Sequence, residues 1–457
     1  MTHVLILGGG PAGYVAALRA AQLGAQVSMV ESREVGGTCL NRGCIPTKAM
    51  VAAAERLRAA RNGGVYGVLT EGVSVDYGAL SARKRQITEQ LRSGVEHMLA
   101  VRKVDIVRAR GALAGPRALR LDDGRLLEGD AVILATGSEP SWLPMFPGGD
   151  PRIVSSDGLL ELERAPRRLL VVGGGVIGCE FAAVFAELGS EVMVVELLDQ
   201  LLPGEDKRTG RTLQQAFKKR SIGVRVRTSV DEVVDSGPQG VRLRLSDGSE
   251  LETDVVLVGV GRRPVTGGMG FEQAGVGIDR RGFVVADETL RTTLDGVFAA
   301  GDAAGPPLLA HWAYYQGSLA AENAVTGSRL AIDRRVVPNC VFTHPEIASV
   351  GLSEDRAASE GVEVEVAHVR FNGNSKAVIE GEDDGYVRIV VAKGDGLVLG
   401  ASLVGPRVTE LVHEIALAMQ ERLSLEAVVR TIHAHPTLSE AVGEAALAWA
   451  GKGMHSL

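Results

Sequence analysis

Two cysteines five positions apart stand in the segment Gly36-Gly37-Thr38-Cys39-Leu40-Asn41-Arg42-Gly43-Cys44-Ile45-Pro46-Thr47-Lys48. A vicinal dithiol can trade two electrons with another disulfide, and basic neighbours such as Arg42 and Lys48 favour the reactive thiolate. Bridging Cys39 and Cys44 requires Cα atoms within about 7 Å. Five steps of a regular helix rise about 7.5 Å, so a regular helix could not be bridged. Gly43 and Pro46 allow the distortion that would bring the sulfurs together. The switch from Lys48 to Ala49-Met50-Val51-Ala52 marks a helix starting nearby. Three other readings stay open at this point: a metal site, two reduced structural thiols, or a disulfide with no redox role. A metal would need two further ligands, and Cys179 and Cys340 offer neither motif spacing nor a neighbouring His. Both read as buried, inert residues.

Near the end, His433-Ala434-His435-Pro436-Thr437-Leu438-Ser439-Glu440 reads as a turn between two helices. Thiol–disulfide exchange needs a base to make thiolate and an acid to return the proton, and His suits both near neutral pH. Glu440 could hold the His435 ring in one tautomer. A competing reading makes Thr437 and Glu440 a capping box that opens the last helix.

These groups need a scaffold, and the chain carries one twice. Val4-Leu5-Ile6-Leu7 leads into Gly8-Gly9-Gly10-Pro11-Ala12-Gly13, and 165 residues later Leu169-Leu170-Val171-Val172 leads into Gly173-Gly174-Gly175-Val176-Ile177-Gly178. Each copy continues as a helical pattern to Leu-Gly, then as a short apolar strand that stops at a carboxylate, Glu31 or Glu196. First Gly and Glu are 23 residues apart in both copies. Strand, G-x-G-x-x-G, helix and acidic residue in this order form the dinucleotide fingerprint. The glycines permit the turn and the close approach of a pyrophosphate, and the helix N-terminus offers free N–H groups. Glu31 and Glu196 would accept from adenosine ribose hydroxyls. Leu197 and Leu198 follow Glu196 with no Arg for a 2′-phosphate, so the second site should prefer NAD over NADP. A redox pair beside two such units is the favoured reading of Cys39 and Cys44.

Gly accounts for 58 of the 457 residues, nearly double the usual ~7%. With 45% apolar and 23% charged residues the chain has room for several cores. Its formal charge of −7 gives no general attraction for nucleic acid or an anionic membrane. No apolar run approaches the ~18 residues of a membrane span. The first one, Val4 to Leu7, runs into glycines rather than a signal peptide. Four cysteines are too few for a secreted disulfide framework, so a cytoplasmic location is expected.

The expected domains are residues 1–147, the first nucleotide unit with the cysteine pair, and 148–264, the second. A central segment, 265–337, returns to the first cofactor through Val297 to Asp302, and 338–457 forms the C-terminal domain. Pro140, Pro144 and Pro147 mark the linker between units. The C-terminal part reads as strands (Val387 to Val391, Leu397 to Leu403) and then helices with apolar positions Leu411, Ile415, Met419, Val428, Val429 and Ile432.

Over essentially its whole length the chain resembles the pyridine-nucleotide-disulfide oxidoreductases. Gly36 to Lys48 and His435 to Glu440 carry the resemblance. Thr343-His344-Pro345-Glu346-Ile347-Ala348 and the Val195-Glu196 strand end point to the branch that oxidises protein-bound dihydrolipoamide to lipoamide with NAD+. Glutathione-type reductases are similar but usually carry arginines where Leu197 and Leu198 stand.

The resemblance implies an α/β fold of two Rossmann-like dinucleotide-binding domains, with FAD on the first and NAD on the second. A C-terminal α+β dimerisation domain would make a homodimer. For FAD it implies Gly8, Gly10, Gly13, Glu31, Gly37, Thr38, Lys48, Gly111, Thr136, Gly137, Ser138, Asp302, Leu308, Leu309, Ala310 and His311. For NAD it implies Gly173, Gly175, Val176, Ile177, Gly178, Glu180, Glu196, Val230 and Gly261. Lys48 and Glu180 would pair near the reactive flavin edge. Cys39 would be the outer sulfur, Cys44 the inner one, His435 the base and Glu440 its orienting carboxylate. The implied partner is a lipoyl-bearing protein of a 2-oxoacid dehydrogenase complex or a glycine-cleavage system. Trp312, Tyr314 and Tyr315 stand where many relatives carry smaller or charged residues.

Overall fold

The computed structural model describes residues 1–455. The apolar run after Met1 forms the strand His3–Leu7, parallel to Gln26–Glu31 on one side and to Ala131–Leu134 on the other. Asp105–Arg108 and Val297–Ala299 complete this five-stranded parallel sheet at its two edges. The second unit repeats the plan. Arg168–Val172 lies between Glu191–Val195 and Val255–Val258, with Gly223–Arg225 and Ile153–Val154 at the edges. Strands covered on both faces read as unbroken apolar runs, and Val4 to Leu7 and Leu169 to Val172 are almost fully buried. In each sheet the glycine turn leaves the central first strand, with sheet neighbours on both sides. That places the crevice at the switch point where α/β sheets bind ligands.

Each unit also carries a three-stranded antiparallel sheet, Gly111–Gly115, Ala118–Leu121 and Leu126–Glu128 in the first, Val230–Gly237, Gly240–Leu245 and Glu250–Thr253 in the second. The Pro-marked linker is partly strand: Ser138–Pro140 pairs antiparallel with Arg262–Pro264 and ties the exits of the two units together.

The C-terminal part is a five-stranded antiparallel sheet in the order 339–341, 346–351, 398–405, 386–392, 364–370. The helices Val408–Gln420 and Glu440–Trp449 bury Ile415, Val442 and Ala445 against it. One expected helical position departs from this core. The short helix Leu425–Val429 ends before Ile432, which is 97% exposed. Its neighbours Thr431 and His433 belong to a turn, so the apolar spacing stops being helical there. Among the described residues no helix is long and apolar enough to cross a membrane.

Candidate functional site

The two glycine turns are copies in detail. Gly8 and Gly173 have φ of +106° and +107°, and a Cβ there would lie 2.3 Å from the Ala135 carbonyl oxygen or 2.5 Å from that of Gly259. Only glycine permits both the conformation and the approach. Gly9 N–H donates to Glu31 Oε2 at 2.6 Å, and Gly174 N–H donates to Glu196 Oε2 at 2.6 Å. The other oxygens accept from Arg33 N–H at 2.6 Å and Leu198 N–H at 2.7 Å. Each carboxylate is thus locked at its strand end, with lone pairs left for a ribose.

Both turns open into one cavity of about 2030 Å³, well above the ~300–1,000 Å³ of a pocket for one drug-sized ligand. Its lining includes Gly8, Gly10, Glu31, Gly37, Thr38, Lys48, Gly111 and Thr136 to Ser138, with Asp302 and Leu308 to His311. From the second unit come Gly173, Gly175, Val176, Ile177, Glu180, Glu196, Val230 and Gly261. The residues fit two dinucleotides. A Cβ on Gly175 would meet nothing within 4 Å, which leaves the space a pyrophosphate needs. The buried Thr136 Oγ1 has no protein partner among the described residues, as expected of a group that faces a ligand. Gly13 and Gly178 stand behind the turns, outside the set of residues that line the cavity. A Cβ there would sit 1.8 Å from Gly8 O or 2.0 Å from Gly173 O, so they let each helix close onto its own turn.

The cysteine segment folds as two helices, Gly37–Arg42 and Cys44–Arg61, broken at Gly43 with φ −140° and ψ −111°. The break is the distortion the spacing demanded. Both cysteines are half-buried, and each shifts the titration of the other. Hydrogen bonding from the Cys39 thiol, with Lys48 behind it, draws the Cys44 pKa down against its burial. The same bond and burial push Cys39 up. Lys48 Nζ lies 2.9 Å and 2.8 Å from the two Glu180 oxygens and 4.5 Å from the centre of the Phe342 ring.

Cys179 is fully buried, and burial raises its pKa. Cys340 departs from expectation. It is half-buried and lines the cavity, because Asn339–Val341 is an edge strand turned toward it. Burial and the carboxylates of Glu346 and Glu410 push its thiol up to about 12.

His435 Nδ1 lies 2.9 Å from Glu440 Oε1, while the other Glu440 oxygen accepts from Thr437 N–H at 2.8 Å. Glu440 therefore makes half of a capping box and holds the ring as well. The reciprocal half does not form: the helix starts at Glu440 with Ser439 as its N-cap, and Thr437 lies before that cap. Burial opposes ionisation of Glu440, but Thr437 N–H and His435 hold its pKa below the usual range. The His435 side chain is 70% exposed and does not line the cavity, so one chain does not bring it to the cysteines.

Several lining residues escaped sequence reasoning. Arg262 Nε donates to Ser138 Oγ at 2.7 Å, and Ser138 Oγ donates to Asp302 Oδ2 at 2.5 Å, so the second unit braces a first-unit contact. Phe342, Thr409, Glu410 and His413 reach the cavity from the C-terminal part. They lie on a strand end and a helix with no local motif. Arg262 was visible only as a charge after a Gly turn.

Residues 2–317 match the pyridine nucleotide-disulphide oxidoreductase family, and residues 337–446 match its dimerisation domain. The chain belongs to this family: it is an oxidoreductase with FAD and NAD as cofactors, and its C-terminal part is a dimerisation domain. It is 40% identical to the dihydrolipoyl dehydrogenase of Chlamydia muridarum, over 97% of this chain and 96% of that one. Among solved structures it is similar to LpdA from Mycobacterium tuberculosis, with a TM-score of 0.91 and 31% identity, covering 98% and 100% of the two chains. The HOCl-induced flavoprotein disulfide reductase RclA from Escherichia coli is also similar, with a TM-score of 0.87 and 27% identity, over 97% and 98%.

Proposed function

We propose that the chain oxidises the dihydrolipoyl group of a lipoyl-bearing protein to its disulfide and delivers the two electrons to NAD+, working as a cytoplasmic homodimer. The observation that carries this reading is the Cys39–Cys44 pair at the Gly43 break. It opens into the same cavity as both nucleotide turns, with Cys44 as the stabilised thiolate.

When bound, FAD supplies a two-electron carrier between a dithiol and NAD+. The residues of the chain handle thiols and protons. His435 of the partner subunit takes the proton of the first substrate thiol at its free Nε2, with Nδ1 held by Glu440. The thiolate attacks Cys39 Sγ of the oxidised pair, a substrate–Cys39 disulfide forms, and Cys44 leaves as thiolate. The second substrate thiol then displaces Cys39 and its proton passes to the leaving Cys39 sulfur, which completes the substrate disulfide and leaves Cys39 a thiol, Cys44 a thiolate and His435 protonated. Two electrons and two protons have then left the substrate. Lys48, neutralised by Glu180, steadies the Cys44 charge without adding a free cation. The exposure of His435 in a single chain supports a site completed by the second copy, since an exchange base must reach the sulfurs.

The likeness to a flavoprotein disulfide reductase favours one other reading, action on a different disulfide. The purified holoenzyme assayed with dihydrolipoamide and NAD+, beside glutathione disulfide and NADPH, separates the two. Turnover with the first pair alone supports the proposal, and turnover with the second alone overturns it.

A further inference from the structure

Arg262 reaches from the second nucleotide unit to residues of the first. It follows Gly261 on the strand Arg262–Pro264, which pairs antiparallel with Ser138–Pro140. Ser141 N–H donates to Gly261 O at 3.0 Å and Val265 N–H donates to Gly137 O at 3.0 Å, so the pairing extends past both ends of this ribbon. Its two arginines are used differently. Arg263 pairs with Glu139 at 2.8 Å, and its side chain is 68% exposed. Arg262 lines the cavity together with Ser138 and Asp302.

Arg262 donates from Nε to Ser138 Oγ at 2.7 Å and from Nη2 to the Ser138 carbonyl oxygen at 2.7 Å. Ser138 Oγ in turn lies 2.5 Å from Asp302 Oδ2. A guanidinium only donates and a carboxylate only accepts, so the single hydroxyl proton of Ser138 must point to Asp302. Bonds to charged groups of this kind are short and strong. A planar fork on Oγ and O together fixes the direction of the Ser138 side chain, which a point-charge lysine would not do. Asp302 is thereby held by one oxygen, while the other keeps lone pairs for a ligand. The two ends of the relay belong to different units. Asp302 follows the strand Val297–Ala299 of the first sheet, and Arg262 follows Val255–Val258 of the second.

We propose that Arg262 is a positioning residue for FAD: through the Ser138 hydroxyl it sets the Asp302 carboxylate, so the second unit helps to hold the cofactor of the first. The inference concerns retention of FAD and stands whichever dithiol or disulfide the chain acts on.

The test follows FAD release from diluted holoenzyme by the rise of free-flavin fluorescence, below the unfolding temperature of each variant. It compares wild type with Arg262→Met, Arg263→Met, Ser138→Ala and the Arg262→Met/Ser138→Ala double variant. Arg262→Met should release FAD about tenfold faster, the size expected for one lost hydrogen bond to a charged group. Arg263→Met, on the same ribbon but outside the relay, should stay within about twofold of wild type. In the Ser138→Ala background, removing Arg262 should add less than about twofold, because the relay is already cut. Arg262→Gln, uncharged and shorter, is read by the same criteria if the Met variant cannot be loaded with flavin. Equal acceleration by the Arg262 and Arg263 variants would mean that general loosening of the ribbon acts, and would overturn the proposal. So would a full tenfold effect of Arg262→Met without the Ser138 hydroxyl, or wild-type release from the Arg262 variants.

Discussion

Lys48 on the cysteine helix and Glu180 on the second unit's glycine-turn helix form a two-point contact of 2.8 Å and 2.9 Å across the junction of the two nucleotide units. Glu180 is 4% exposed and also accepts Phe342 N–H at 3.0 Å, so three separate segments converge on one carboxylate. A buried charge of this kind needs partners. The cation it holds is the one that lowers the Cys44 pKa, and Glu180 itself works in the opposite direction.

The Cys44 thiol should therefore respond to each partner with opposite sign. In a Cys39→Ser background, Lys48→Met should raise the pH at which Cys44 is alkylated at half-maximal rate, and Glu180→Gln should lower it. Iodoacetamide labelling across pH, with the modified residue identified by mass spectrometry, measures both. Equal shifts of one sign would mean that general loss of structure dominates.

Cofactor choice should follow Glu196. Its carboxylate is fixed by Gly174 and Leu198 N–H groups at the strand end, where a 2′-phosphate would bring like charge. NAD+ should show the higher kcat/KM. Glu196→Ala with Leu197→Arg should narrow that preference by at least about tenfold. The double variant should also lose roughly 1–3 kcal/mol of stability, since two N–H groups lose their acceptor. An unmodified enzyme that prefers NADP+ contradicts the assignment.

Sharing of His435 between subunits can be tested by complementation. Cys39→Ser and His435→Gln homodimers should each be nearly inactive. Unfolding and refolding an equal mixture makes heterodimers with one intact site and one site lacking both groups. With half the dimers mixed, activity should return to about a quarter of wild type. Verified heterodimers that stay inactive, beside a wild-type control that refolds fully, would exclude the sharing.

Glu205 should make stability fall as pH rises. Burial raises its pKa, while hydrogen bonds from Asn339 and Ser349 to Oε1, 2.6 Å and 3.0 Å long, oppose the rise. A carboxyl with a raised folded pKa favours the fold below its unfolded value, and that stability is lost as pH climbs through the folded value. Glu205→Gln keeps an acceptor for both donors. It should be more stable than wild type at about pH 8, and by a smaller margin at about pH 5, in chemical denaturation. A variant less stable than wild type at the higher pH would reverse the sign.

The parts of this protein legible in its sequence are those whose cause is local. A strand that runs from Val4 to Leu7 into Gly8, or from Leu169 to Val172 into Gly173, carries its burial, its turn and its helix start within a few residues. Periodicity and glycine chemistry report all three. The helix break between Cys39 and Cys44 was readable because Gly43 and the span of five residues are local too. Tertiary structure decided what depends on distant chain. Gly13 and Gly178 share the fingerprint of the other glycines yet touch their own turns rather than the cavity, a matter of which way a helix faces. Cys340, Phe342, Glu410 and His413 line the cavity because the C-terminal sheet packs against both units, and no pattern at those positions announces it. Ile432 keeps helical spacing but stands in solvent beyond the end of its helix. Tyr14 and Tyr314 are 300 residues apart, and only the close contact of two helices at Ala12 and Gly317 brings their rings edge to face. Such placement comes from the summed packing of whole elements, which side-chain type and spacing along the chain do not encode at any one position.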